Sequence, residues 1–153
     1  MAAPEAPGGG LVGLFADRPL AYTAEEQHNI DTALRLRRAT FEGRKSFHGP
    51  GFVVHRRGMA HLADVGGGYH SASIADRVDE IVDIIAKGDR VWCVWKIRGT
   101  HTGELFGIPP TGRGIEVLEM GAWRFVDGKV VEAWFFADEY ALADQLAGAP
   151  ASR

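Results

Sequence analysis

Several features that would point to a particular class of protein are scarce or missing in this chain. Cys93 is its only cysteine, so neither an internal disulfide nor a cysteine-based metal site can form. No apolar run approaches the roughly 20 residues that a membrane-spanning helix needs. The 17 basic and 20 acidic residues are not clustered by sign, so we expect no nucleic-acid partner. The first twenty residues lack the features of a signal peptide, which predicts a cytoplasmic protein.

Metal and cofactor motifs are also missing. No two of the six histidines have the spacing of a zinc site with supporting ligands, and His55, His61 and His70 do not form a recognised triad. The glycine run in "GGGYHS" follows no convincing strand, so it does not indicate a phosphate loop. No nucleophile elbow of the G-x-S-x-G type occurs. The sequence therefore predicts neither a metal nor a cofactor.

What is present indicates one globular domain. The chain has 153 residues, of which 46% are apolar and 24% charged, enough to bury a core. We predict a flexible leader over residues 1–20, a single domain over 21–148 and a short tail over 149–153.

Helical patterns occur at both ends of the predicted domain. Thr23 followed by Glu26 is a capping-box signature, and apolar residues then recur at helical spacing as far as Phe41, which predicts a helix of about 18 residues. "EGRKSFHGPG" ends it as a loop, and "MAHLADVGGG" is compatible with one or two broken helical turns. "DEYALADQLA" predicts a closing helix.

The strands are grouped between these helices. "FVVH" is a short candidate, and "RVDEIVDIIAKGD" fits both periods but favours a strand through its β-branched residues. "RVWCVWKIRG", "IEVLEMGAWRFV" and "KVVEAWFFA" are strands, the last two joined by an Asp-Gly type I′ turn. "THTGELFGIPPTGRG" is a loop. Grouped strands predict an α+β fold, a cone-shaped curved antiparallel sheet with helices packed on its concave face and enclosing a pocket.

Motifs in the second half of the chain resemble a known family. The "GDRV" turn, the "GTHTGE" to "GIPPTG" loop, the "RF-x-DGK" hairpin and "E-x-W-x-x-x-D" before a "QL" helix fall in the order seen in SnoaL-like polyketide cyclases, which have the nuclear transport factor 2-like fold. The resemblance covers about residues 76–147. It implies this fold and intramolecular aldol chemistry in aromatic polyketides, while relatives hydrolyse, isomerise or hydroxylate.

Asp138 and His55 are the predicted catalytic residues. Asp138 shares a strand face with Glu132, Trp134 and Phe136, and an acid among aromatic walls can carry protons near neutral pH. The resemblance places the family's acid/base aspartate here and a pocket histidine near His55. The simpler interpretation makes Asp138 the N-cap of the last helix.

Glu119 and four aromatic residues are the predicted substrate-binding residues. Glu119 shares a strand face with Trp123, but whether that face is buried or solvated stays open, because the opposite set beginning with Leu118 is also apolar. Trp95, Trp134 and Phe136 complete the set as aromatic walls for a flat or hydrophobic substrate. His101 is expected to make a structural hydrogen bond, and Arg56 to lie at the rim.

The predicted function is cofactor-independent acid/base catalysis on a small hydrophobic carbonyl or polyketide-like substrate, with Asp138 moving a proton. One alternative is a hydrolase of the epoxide-hydrolase type, which needs an acid–arginine–acid set that the sequence does not make evident. The other is a non-catalytic ligand-binding or assembly module, favoured if Trp95 and Trp123 fill the pocket. Strands that are apolar on both faces predict a homodimer or higher homo-oligomer joined through the outer sheet face.

Overall fold

The computed structural model describes residues 20–40, 42–56 and 73–148. The predictions for the leader and tail, for Phe41 and for "MAHLADVGGG" fall wholly or largely outside these residues, as do His61 and His70. None of the described helices is long and apolar enough to cross a membrane.

Helix α1 spans Ala24–Arg38 and begins at the predicted capping box. The Thr23 hydroxyl accepts the Glu26 N–H at 3.1 Å, and the Glu26 carboxylate accepts the Thr23 N–H at 3.0 Å. The other Glu26 oxygen accepts the Gly88 N–H at 2.8 Å, which fixes the start of the helix to the sheet. The helix has 15 residues, fewer than the pattern predicts, because Ala39 leaves the helical conformation.

The segment after α1 is more ordered than the predicted loop. A 3-10 helix spans Gly43–Phe47, and strand β1 begins directly after it. The remaining elements follow as predicted by type. The bounds are β1 His48–Arg56, β2 Ile74–Lys87, β3 Arg90–His101, β4 Gly114–Val126, β5 Lys129–Ala137 and helix α2 Glu139–Ala147.

The five strands form one sheet in the order β1-β5-β4-β3-β2. Strands β2 to β5 pair in antiparallel fashion, and the predicted turn between β4 and β5 is confirmed by positive φ angles of 50° at Asp127 and 71° at Gly128. Strand β1 instead runs parallel to β5. No hairpin joins β1 to β5, so their connection does not require the antiparallel direction.

The two faces of the sheet have different environments. The inner face packs against α1 and α2 and carries the buried residues of β3, β4 and β5; they are Val91, Cys93, Trp95, Ile97, Ile115, Val117, Glu119, Trp123, Phe125, Val130 and Ala133. The outer face carries the alternate residues, including the exposed Trp92, Leu118, Trp134 and Phe136. The predicted α+β fold with a curved, mainly antiparallel sheet is confirmed.

Candidate active site

Glu119 is an acid within the buried core. Its side chain is 2% exposed; one carboxylate oxygen accepts a hydrogen bond from Arg56 Nη2 at 2.6 Å, and the other accepts from Trp95 Nε1 at 3.1 Å. A buried carboxylate is tolerated only when it is paired and hydrogen-bonded. The question left open by the sequence is therefore answered: the Glu119 face of β4 is the inner face.

The sheet register positions Glu119 and its aromatic neighbours. Glu119 lies directly opposite Trp95 in the β3–β4 ladder. A side chain at Gly121 would place its Cβ 2.8 Å from the Trp95 ring, so glycine is needed there for the indole to lie flat against β4. Trp95 stacks on Trp123 with ring centroids 5.8 Å apart, and the Phe135 ring contacts both edge-on.

A second acid, Asp79 of β2, is bound by two arginines. Arg77 donates two hydrogen bonds to it at 2.7 and 2.8 Å, and Arg37 of α1 donates another. Burial raises the pKa of Asp79, but the hydrogen bonds and charges of Arg77 and Arg37 outweigh it and lower the pKa below its ordinary value. Asp79 is therefore a firmly ionised partner for these arginines.

Arg37 joins the two acids into one cluster. Its guanidinium lies 3.9 Å from the centre of the Trp95 ring, the indole that hydrogen-bonds Glu119. Burial lowers the pKa of Arg37, and the charges of Glu119 and Asp79 oppose this. The inner face thus carries a buried acid–arginine–acid arrangement, which the sequence did not make evident because its members come from α1, β2 and β4.

Arg44, in the 3-10 helix, extends the cluster. Burial, followed by the charges of Arg37 and Arg77, lowers the pKa of Arg44 to about 10. We call the set of Arg37, Arg44, Arg56, Arg77, Asp79 and Glu119 the inner cluster.

The predicted catalytic residue Asp138 lies at the end of the β4–β5 ladder. Its main-chain N–H donates to the Leu118 carbonyl at 2.9 Å, and its exposed side chain accepts the Ala141 N–H at 3.1 Å as the N-cap of α2. The strand face that Asp138 shares with Trp134 and Phe136 is the outer face, because these two residues are 44% and 57% exposed. Its catalytic role stays a prediction.

His55 also lies on the outer face. Its Nε2 lies 2.9 Å from a Glu132 carboxylate oxygen, and its ring stacks on Trp134 with centroids 3.7 Å apart. Arg124 donates to the other Glu132 oxygen at 3.1 Å. Three of these residues, Arg124, Glu132 and Trp134, line an outer groove of about 390 Å³ together with Trp92 and Phe136.

The predicted site residues therefore divide between the two faces. Glu119, Trp95 and Trp123 lie inside, whereas His55, Trp134 and Phe136 lie outside. The sheet separates the two sets of side chains, and Trp123 is the inner residue that is also counted in the lining of the outer groove. Both inner tryptophans are part of the core, with exposed fractions of 0% and 2%.

Sequence reasoning missed most of the inner cluster. Arg37 repeats with the apolar residues of α1, a weak signal that it faces inward. Arg56 was expected at the rim, whereas it donates to the buried Glu119. The fully buried His101 has its Nδ1 3.0 Å from the Thr111 hydroxyl, in agreement with a structural role. Burial raises the pKa of the Cys93 thiol to about 12, which makes it a poor nucleophile.

Over the ranges that the structure describes, no group of three or more histidine, cysteine or acidic side chains is arranged to hold a metal ion.

The chain belongs to the SnoaL-like polyketide cyclase family, because the model of that family matches residues 47–146. Among solved structures it is similar to a proposed SnoaL-like polyketide cyclase from Jannaschia sp. CCS1, at 20% identity and a TM-score of 0.70, over 86% of this chain and 100% of that one. This likeness supports the fold.

Two other solved structures, both of proteins from Streptomyces, have higher sequence identity to this chain. AclR, a proposed hydroxylase from Streptomyces galilaeus, is 26% identical with a TM-score of 0.68, over 84% of this chain and 86% of that one. IdmH, a proposed polyketide cyclase from Streptomyces antibioticus, is 27% identical with a TM-score of 0.60, over 78% and 98%. The comparison with curated proteins finds no match.

Proposed function

We propose that this chain is an acid/base enzyme that acts, without a cofactor, on a small hydrophobic carbonyl or polyketide-like compound at the inner cluster. The observation that carries this proposal is the buried Glu119, which lies among Trp95, Trp123 and Arg56 on the inner face. The family relationship supports this class of reaction, as do its structural neighbours, which are described as proposed cyclases and a proposed hydroxylase.

In the proposed reaction, Glu119 removes a proton from a carbon beside a carbonyl group. The resulting enolate carbon attacks a second carbonyl of the same molecule, a carbon–carbon bond forms, and the new alkoxide takes the proton back. A carboxylate can act as such a base when nearby donors stabilise the enolate oxygen. Arg37 and Arg56 bring positive charge next to Glu119 for this purpose.

The proposal can be tested without the natural substrate. Wild-type protein in D₂O should accelerate the exchange of the methyl protons of 2-acetylnaphthalene for deuterium. The exchange is monitored by proton NMR. Glu119→Gln keeps the shape of the side chain but not the base, so exchange should fall by roughly 100-fold or more. The folded fraction of each variant is measured by near-UV circular dichroism, because loss of a buried charge partner can also destabilise the fold.

Glu116→Gln is the matched control. Glu116 lies on the same strand but is exposed, and it is paired with Arg98 at 2.7 Å. This variant should exchange protons at the wild-type rate. Equal exchange by folded Glu119→Gln and wild-type protein would contradict the assignment of Glu119 as the base.

A second candidate is hydrolysis, such as the opening of an epoxide by water. The specific observation in its favour is the acid–arginine–acid arrangement of Asp79, Arg37 and Glu119, since one acid can activate water while another protonates the leaving oxygen. Hydrolysis of styrene oxide by wild-type protein, lost in both Asp79→Asn and Glu119→Gln, would favour this reaction over proton transfer beside a carbonyl.

One observation also favours the alternative of a non-catalytic ligand-binding or assembly module. Trp95 and Trp123 are part of the packed core, as expected of a module that binds or assembles without catalysis. Binding of aryl ketones without any proton exchange by wild-type protein would favour that interpretation.

A further inference from the structure

The inner cluster contains more positive than negative charge. Its four arginines, Arg37, Arg44, Arg56 and Arg77, face two acids, Asp79 and Glu119, among the residues that the structure describes. Charges removed from water are costly unless they are paired. Among the described residues, Arg44 is the arginine of the cluster for which no ion pair is seen, so an added anion would offset its charge.

The imbalance is greatest at Arg44. Within the described part of the chain, this guanidinium makes no ion pair, and its buried Nε lacks a hydrogen-bond acceptor. The Nε of Arg37, a residue only 7% exposed, also lacks an acceptor there. Buried donors without partners are rare in folded proteins, so two in one cluster indicate a place where an acceptor binds.

The two acids of the cluster attract Arg44 through their charge, but neither accepts a hydrogen bond from it in the described part of the chain. Asp79 already accepts hydrogen bonds from Arg37 and Arg77, and Glu119 accepts from Arg56 and Trp95. The planar guanidinium of arginine can donate two parallel hydrogen bonds to the two oxygens of a carboxylate. Such charged, paired hydrogen bonds are among the strong ones in proteins.

We propose that the inner cluster binds an anionic group of its ligand, a carboxylate attached to a flat hydrophobic body, with Arg44 as the principal contact and Arg37 as a second donor. This rests on the proposed function for the identity of the site, and it deepens that function by naming the substrate class as aromatic or polyketide-like acids. Trp95, stacked under Arg37, lies beside the bound acid group.

The proposal is tested by binding, which requires no turnover. The full chain is titrated with 2-naphthoate and, separately, with its methyl ester, which has the same rings but no charge, and affinities are measured by calorimetry. The acid should bind at least about tenfold more tightly than the ester. Arg44→Gln should reduce acid affinity by about tenfold or more and leave ester affinity unchanged. Arg44→Lys keeps the positive charge but loses the paired hydrogen-bond donors of the guanidinium. Its affinity for the acid should therefore lie between those of the wild-type chain and Arg44→Gln.

Arg90→Gln is the control for charge and for binding at another place. Arg90 is an exposed arginine that borders the outer groove, so its loss removes the same charge from the opposite face. It should leave the affinity for 2-naphthoate unchanged. The melting temperature of ligand-free Arg44→Gln should stay at or above the wild-type value, because burial and the charges of Arg37 and Arg77 disfavour the Arg44 charge more than Asp79 and Glu119 favour it.

Equal affinity for acid and ester would overturn the proposal, as would no binding of either at millimolar concentration, or a loss of acid affinity in Arg90→Gln but not in Arg44→Gln. None of these binding measurements requires catalytic turnover. A chain that binds the acid through Arg44 but exchanges no protons would keep the anion site and contradict only the proposed function.

Discussion

At the scale of single residues, the proposed chemistry depends on how the Glu119 side chain is accommodated inside the core. Its two oxygens each receive one donor, from Arg56 and Trp95. Each carboxylate oxygen can accept a second hydrogen bond, so a ligand proton can still approach. A buried carboxylate whose oxygens are each hydrogen-bonded, and can each accept one more hydrogen bond, is suited both to positioning a ligand and to proton transfer.

Asp138 provides the sharpest prediction at this scale. The structure gives it a clear role as the N-cap of α2. Asn caps about as well as Asp, so Asp138→Asn should leave the free energy of unfolding nearly unchanged, whereas Asp138→Ala should lower it by about 1 kcal/mol. Urea denaturation measures both.

The proton-exchange assay then separates the two roles of Asp138. If it carries protons as the family resemblance implies, Asp138→Asn should lose roughly 100-fold or more in exchange rate with its stability intact. Full exchange activity in that variant would leave Asp138 with its capping role alone.

Individual site residues were only partly predictable. Glu119 was identified because an acid on an apolar strand face requires a reason. The arginines were not identified, because Arg37, Arg44, Arg56 and Arg77 are scattered over four elements and converge only through the fold. No local pattern contains that information.

At the scale of helices and strands, local signals were strong predictors. The capping box at Thr23 and the positive-φ turn at Asp127 are determined by contacts within a few residues, and both are confirmed. The parallel pairing of β1 with β5 was not predictable, because it depends on partners about 80 positions apart in sequence.

The sequence of β5 does not reveal which of its two faces is buried. Alternation correctly groups Glu132, Trp134 and Phe136, but β5 is aromatic on both faces, so the pattern cannot say which face is buried. The structure buries Ala133 and packs Phe135 against the core. Trp134 and Phe136 therefore lie on the outer face, where they line the outer groove, and their role in substrate binding stays a prediction.

At the scale of the whole molecule, the outer face is the feature that the folded chain leaves unexplained. Trp92, Leu118, Trp134 and Phe136 are each more than 40% exposed, and contiguous apolar patches of this kind mark interfaces. We expect a homodimer joined through this face. Sedimentation velocity at micromolar concentration should show a dimer, and Phe136→Glu should convert it to a monomer.

The matched control for the dimer is Tyr140→Glu, at an aromatic residue that is 79% exposed on α2. It introduces the same charge without touching the outer sheet face, so the dimer should persist. A wild-type chain that sediments as a monomer would contradict the predicted interface.

The central claim is that ligands bind at the inner cluster and not in the outer groove. A crystal structure of the protein with 2-acetylnaphthalene tests this most directly. We expect the ligand between α1 and the inner face of the sheet, with its carbonyl group beside Glu119 and Arg56. A ligand found in the outer groove, against Trp134 and Phe136, would contradict it.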